Sequence, residues 1–215
     1  MHIGILGSGE VGRTVGAGLI ALGHEVTIGS RTPDSDKLKL WREGVGRRGS
    51  TGHFHDAAAV GEMILLAVRW SGLENAIHLA QPSALAGKVV MDATNPIDFS
   101  RGEPVALEIG PNDSAGERVQ RWLPDSYVVK AFNHVAAKQM VNPTFPGGPP
   151  DMFICGEDAE AKEKVVALLF DLGWPVIDIG GIQESRLLEA AAMLWIKTAL
   201  KVGTWSIAFK LLRKA

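Results

Sequence analysis

Short, almost unbroken apolar runs alternate with longer stretches of helical periodicity along most of the chain. The runs read as strands at residues 3–6, 25–29, 63–68, 88–93, 127–132, 152–155 and 175–179, and the largely polar stretch 49–54 as a short third strand in chain order. Between them, apolar residues recur at three- and four-residue intervals. That spacing predicts helices over residues 11–22, from a cap at Asp34 or Ser35 to 45, and over 55–60, 71–80, 114–122 and 158–172. Residues 97–115 show no period and read as irregular. The stretch 142–150, Asn-Pro-Thr-Phe-Pro-Gly-Gly-Pro-Pro, reads as a surface connection or a flexible flap. Everything from Glu184 onward reads as helix to the end of the chain. Strands without polar alternation, joined through helices, predict a parallel sheet covered on both faces.

The first strand runs into Gly7-Ser8-Gly9-Glu10-Val11-Gly12, where the glycines fall on the G-x-G-x-x-G spacing. Gly7 permits the tight turn, Gly9 lets a pyrophosphate approach the backbone, and Gly12 lets the helix pack closely on the sheet. The following helix aims its unpaired amides and positive dipole end at the anion. The fold class is therefore α/β, a Rossmann-type doubly wound and mostly parallel sheet, with a short C-terminal helical extension.

The end of the second strand selects the nucleotide. A carboxylate there would bond the ribose 2′-hydroxyl, but this chain has Gly29-Ser30-Arg31-Thr32-Pro33. A hydroxyl and a guanidinium suit the 2′-phosphate of NADP(H): Arg31 could clamp it with two N–H groups, Ser30 could donate a third bond, and Lys37 could help from the next helix.

Composition narrows the class. With 215 residues and 46% hydrophobic content the chain can bury a sizeable core. We divide it into a nucleotide-binding domain at 1–182 and C-terminal helices at 183–215 that close an acceptor pocket or a dimer interface. A net charge of -2, from 22 basic and 24 acidic residues, gives no reason to expect nucleic acid or an anionic membrane as partner. The six histidines lack metal-ligand spacing, so no metal is expected. The one cysteine, Cys155, lies in an apolar run and reads as a buried hydrophobe. The first strand starts almost at Met1, leaving no room for a signal peptide, and the apolar run 187–212 is interrupted by Glu189, Lys197, Lys201 and Lys210. A soluble cytoplasmic protein is expected.

Five motifs occur in order: Gly7 to Gly12, Gly29-Ser30-Arg31, Val68-Arg69-Trp70, Asp92-Ala93-Thr94-Asn95-Pro96 and Lys130-Ala131-Phe132-Asn133. Together they resemble the NADP oxidoreductases that depend on the deazaflavin coenzyme F420, over essentially the whole chain. They are also similar to the cytosolic reductase domain of the six-transmembrane ferric reductases. The resemblance implies hydride transfer between NADP(H) and F420 or another flavin. It puts the pyrophosphate on Ser8 to Val11, the 2′-phosphate on Ser30 and Arg31, and the adenosine and ribose beside Val68, Arg69 and Trp70. Asn95, Pro96, Asn133 and His134 would border the nicotinamide and acceptor. The chain departs from the F420 enzymes at Arg69, where they commonly carry proline, and around Asn133 and His134.

Cofactors carry such a reaction, so no side chain is expected to be indispensable. Val135-Ala136-Ala137 either lets a flat ring approach or simply starts a helix. His134 is a candidate for stabilising charge or relaying a proton, and otherwise a hydrogen-bonded structural histidine. Lys130, inside a strand, reads as a structural or cofactor-edge residue, and Asp92 as an acceptor of backbone hydrogen bonds. Trp195, Trp205 and Phe209 read as core or subunit interface.

A homodimer through the C-terminal face is predicted, and a monomeric mass by light scattering would count against it. A charge-assisted hydrogen bond contributes roughly 1.5–3 kcal/mol, and about 1.4 kcal/mol is tenfold in affinity. Arg31→Ala should therefore weaken NADPH binding about 10–100-fold, as read by calorimetry, and barely change NADH. An equal loss for both nucleotides would remove the phosphate assignment.

Overall fold

A computed structural model describes residues 1–98 and 106–214. In chain order it contains β1 (His2–Leu6), α1 (Glu10–Ala21), β2 (Glu25–Gly29), α2 (Asp36–Val45), β3 (Gly49–Gly52), α3 (Phe54–Val60), β4 (Met63–Leu66), α4 (Leu73–Ala80) and β5 (Val89–Asp92). There follow β6 (Ile97–Asp98), β7 (Ala106–Leu107), α5 (Ala115–Trp122), β8 (Tyr127–Lys130), β9 (Met152–Gly156), α6 (Ala159–Asp171), β10 (Val176–Asp178) and α7 (Ser185–Val202).

The main sheet has the order β10-β9-β8-β5-β4-β1-β2-β3. Its six strands from β8 to β3 are parallel, while β9 runs antiparallel to β8, with β10 parallel to β9. This is the Rossmann-type architecture expected. The strand order reverses between β1 and β4, so the helices after β1 and β4 lie on opposite faces and a crevice opens at the carboxyl ends.

The strands are buried on both faces because each face has its own cluster. Ile3, Ile5, Val26, Ile28, Leu65 and Met91 pack with Val15 and Leu19 of α1 and with Val165, Leu168 and Leu169 of α6. Leu6, Ile64, Leu66, Val90 and Val128 pack on the other face with Leu73 and Ile77 of α4 and Val119 of α5. Inward-pointing side chains alternate between the two clusters along each strand, as the two-residue period requires.

Two expectations fail. Within 97–115, Ile97 and Asp98 pair antiparallel with Leu107 and Ala106, forming a ribbon too short to leave a periodic trace; residues 99–105 of that stretch lie outside the described residues. The C-terminal helix also does not reach the end. It stops at Val202 because Gly203 takes a left-handed conformation (φ 79°) and its N–H closes on the Ala199 carbonyl. The remaining chain turns back: Trp195 Nε1 donates to Ile207 O at 2.8 Å, and Asp151 N donates to Phe209 O at 3.0 Å. The 142–150 connection has no regular structure and is tied to this tail by Lys210 Nζ donating to Pro149 O at 2.7 Å. The Val135-Ala136-Ala137 run leads into a single 3-10 turn, Ala137–Gln139. Among the described residues, no helix is long and apolar enough to cross a membrane, and no group of three His, Cys, Asp or Glu could hold a metal ion.

Candidate functional site

The glycine turn has the shape its sequence demands. Gly7 has φ 136°, and a Cβ there would run into the Ala67 carbonyl. At Gly12 a Cβ would strike the carbonyl of Gly7, so only glycine lets α1 come this close to the end of β1. A Cβ at Gly9 would meet nothing nearer than Ala67 O at 4.0 Å, so its α-carbon faces open space. Gly9 is also the N-cap of α1, and no side chain caps the first-turn amides. Those donors remain available to an anion. The residues present fit a pyrophosphate.

Beside this turn lies a cleft of about 590 Å³. Gly7, Ser8 and Gly9 form one wall, and Ser30, Arg31, Thr32 and Lys37 the next. The chain after β4 completes it with Ala67, Val68, Arg69, Ser71, Gly72 and Asn75, while Phe54 enters from α3. Among the described residues, three cationic side chains and no carboxylate line it. That charge suits the 2′-phosphate of NADP(H) and would disfavour a cleft built around a bare ribose.

Ser30 lines the cleft and is also bound within the protein. It is 4% exposed; its Oγ accepts from Thr32 N at 3.2 Å and lies 3.1 Å from Ser8 Oγ. The hydroxyl thus ties the glycine turn to the end of β2, and Thr32 supplies the exposed hydroxyl on that wall. Glu10 is exposed, Val11 packs partly on the core and Gly12 is buried, and none of the three lines the cleft. They could serve only through their amides. Trp70 is not beside the cleft either: its ring is buried and stacked on Trp122, with centroids 5.5 Å apart and planes at 18°. Sequence reasoning missed Thr32, Phe54, Ser71, Gly72 and Asn75. Neither Phe54 nor Asn75 belongs to a nucleotide motif; each reaches the cleft from a helix packed beside it.

Along the same sheet edge, the ends of β5 and β8 are joined by hydrogen bonds. Asn133 Nδ2 donates to Thr94 O at 2.8 Å and to Asn95 Oδ1 at 3.2 Å, and Asn95 Nδ2 donates to Asn133 O at 2.9 Å. Pro96 is buried next to them, and Ala136 and Ala137 are half-buried. The structure therefore brings together Asn95, Pro96 and Asn133, apart from the residues that line the cleft.

His134 is 1% exposed, with its ring 5.5 Å from Phe153 and 5.7 Å from Phe209. Its Nε2 is buried with no hydrogen-bond partner. The expected anchoring of a structural histidine by hydrogen bonds is thus missing at that nitrogen. Burial pushes the imidazole down to about 4, only partly offset by a bond to its own backbone. The ring is neutral at pH 7. Cys155 is fully buried, and burial pushes its thiol up to about 11, so it is an unreactive packing residue.

The family described as NADP oxidoreductase, coenzyme F420-dependent, matches residues 2–96. The F420-dependent NADP reductase of Methanocaldococcus jannaschii is 30% identical over 214 residues, covering 94% of this chain and 93% of that protein. Metalloreductase STEAP3 of Rattus norvegicus is 29% identical over 195 residues, covering 87% of this chain but 36% of that protein. A solved structure from Arthrobacter sp. FB24, provisionally assigned as an F420-dependent NADP reductase, superposes with a TM-score of 0.93 at 38% identity, covering 98% of this chain and 99% of that one.

The buried imidazole predicts a pH effect. The unfolded chain binds this proton more readily than the fold does, since the folded value is depressed from 6.5 to about 4. Stability linked to the neutral ring is complete above about pH 6.5 and is lost as pH falls toward 4. The loss is on the order of 3 kcal/mol. Urea midpoints taken between these limits should fall more steeply for the parent chain than for His134→Phe; parallel slopes would show that this ring carries none of the effect.

Proposed function

The chain belongs to the family of coenzyme F420-dependent NADP oxidoreductases, and we propose that its own reaction is hydride transfer between NADP(H) and coenzyme F420. It is an NADP-dependent oxidoreductase by that membership. The observation that carries the reading is the cleft in which the uncapped amides of α1 meet Arg31, Lys37 and Arg69, with no carboxylate lining it among the described residues.

In this reading the first-turn amides at Gly9, Glu10 and Val11 hold the pyrophosphate. Arg31, Thr32 and Lys37 hold the 2′-phosphate, with Ser30 fixing the two loops against each other. Val68 and Phe54 supply apolar surface for the adenine. Asn95, Pro96 and Asn133 form the wall for the nicotinamide, and Ala136 and Ala137 leave room for a flat ring. The nicotinamide supplies the hydride and the deazaflavin accepts it, so the protein's task is alignment and exclusion of water. His134, neutral and buried, adds no charge to that region. The C-terminal part from residue 183 packs against α5, and its exposed Leu187 and Leu194 favour a homodimer through this face. A cytoplasmic location accords with the same reading.

A flavin or ferric acceptor is the second reading, favoured by the similarity to metalloreductase STEAP3, of which the chain spans 36%. Absorbance at the nicotinamide and deazaflavin bands separates the two. NADPH with purified protein should be oxidised by F420 in preference to FMN, FAD or ferric chelates. Tight NADPH binding with no oxidation by any of them would make the protein an NADPH sensor instead of a reductase.

A further inference from the structure

Three ionisable side chains in the core have no part in the site described above. Asp92 closes β5, Lys130 closes β8, and Glu189 lies in the first turns of α7; the first two are 0% exposed and the third 1%. Lys130 Nζ lies 2.8 Å from Asp92 Oδ2 and 2.9 Å from Glu189 Oε1. Burial alone would depress the Lys130 ammonium, but the two carboxylates outweigh it and hold it above its ordinary range. Glu189 also accepts from Ala115 N and Gly116 N, each at 3.1 Å, which are the first amides of α5. The surplus negative charge thus faces the positive end of a helix.

The triad does not end there. Asp92 Oδ1 accepts from Thr94 N at 2.9 Å, and Thr94 O accepts from Asn133 Nδ2 at 2.8 Å. A continuous hydrogen-bonded path therefore runs from α5 and α7 to the asparagine pair at the sheet edge. Between Lys130 and Asn133 the chain passes through Phe132 at φ 64°, a left-handed conformation that a bulky residue adopts only when its surroundings impose it. Two residues on the path also carry polar atoms that the fold leaves unused: Thr94 Oγ1 and Asn133 Oδ1 are buried without a partner.

A buried ion group is weak evidence for a role in stability. Desolvating ions is costly, and well-packed apolar replacements of buried ion groups are often as stable or more so. What charge adds is direction. A carboxylate shared between an ammonium and a main-chain amide cannot rotate without losing one of them. We infer that Asp92, Lys130 and Glu189 are positioning residues that fix the Thr94-Asn95-Pro96 turn and Asn133 in register with each other. The inference rests on the reading above, in which this edge receives the nicotinamide.

The test uses Asp92→Asn, which keeps an acceptor for Thr94 N but turns an amide toward Lys130, and the apolar triple variant Asp92→Leu/Lys130→Met/Glu189→Leu. Four quantities are measured: urea midpoint, NADPH affinity, emission of the bound nicotinamide, and single-turnover hydride transfer. Folded variants should bind NADPH within about twofold of the parent chain, because the phosphate grips lie elsewhere. Their nicotinamide emission should move toward that of free NADPH, and transfer should slow by about tenfold or more at unchanged KM for NADPH. Glu189→Gln, which keeps the acceptor for Lys130 but sets an amide against the Ala115 N–H, should disturb both signals less than Asp92→Asn, whose changed group bonds Thr94 N directly. Folded variants with parental emission and rate would overturn the inference, as would unfolding of both, since the triad would then hold the fold and not the site. A parent chain that binds no NADPH would instead remove the functional reading itself.

Discussion

How near the first turn of α1 comes to the end of β1 governs the rest of the structure. The approach is set by a steric limit: a Cβ at Gly12 would overlap the Gly7 carbonyl, and one at Gly7 would overlap the Ala67 carbonyl. With both absent, three chain segments converge at a point where strand order reverses. Gly7 N donates to Gly29 O at 3.0 Å and Ala67 N donates to Leu6 O at 2.8 Å, so the ladder continues past the strands into the loops. The loops that carry Ser30, Arg31 and Arg69 inherit their positions from this junction. The cleft needs no movement to exist.

The sheet edge beyond the cleft is organised by different physics. Arg31, Lys37 and Arg69 carry positive charge on exposed side chains, which suits steering of a polyanion. At Asn95, Asn133 and His134 the groups are neutral, and His134 is buried between aromatic rings. One ligand lying along this edge would pass from a charged grip to an uncharged wall. That gradient matches a cofactor whose phosphates provide affinity while its other end reacts. The buried charges sit one layer further in, where Lys130, Asp92 and Glu189 join α7 to the strand ends.

Much of this was legible in the chain. Strand and helix order, the parallel sheet and the glycine turn follow from local pattern, because fully buried strands leave apolar runs and tight turns leave glycines. Ser8, Gly9, Arg31, Val68 and Arg69, read from motifs contiguous in sequence, line one cleft. Trp70, contiguous with them, is buried and does not line it. Adjacent residues in a loop point different ways, and only the packing partner, Trp122, shows which way the indole turns. The helix end at Val202 coincides with Gly203, but the apolar residues beyond it hid the stop; of these, Trp205 packs on Trp195 and Phe209 lies beside His134.

The sequence alone determined the covalent logic: which turn lacks side chains, which strand end lacks a carboxylate, and which runs must be buried. Those properties are local, so they survive without a fold. Tertiary structure decided everything that depends on residues far apart in the chain. It alone brings Phe54 and Asn75 to the cleft, sets the Ser30 hydroxyl against that of Ser8, and leaves His134 neutral. It also joins Glu189 to Lys130 and Asp92, the last two separated by 38 positions. Hydrogen bonds and desolvation are set by neighbours in space, and chain order does not specify them.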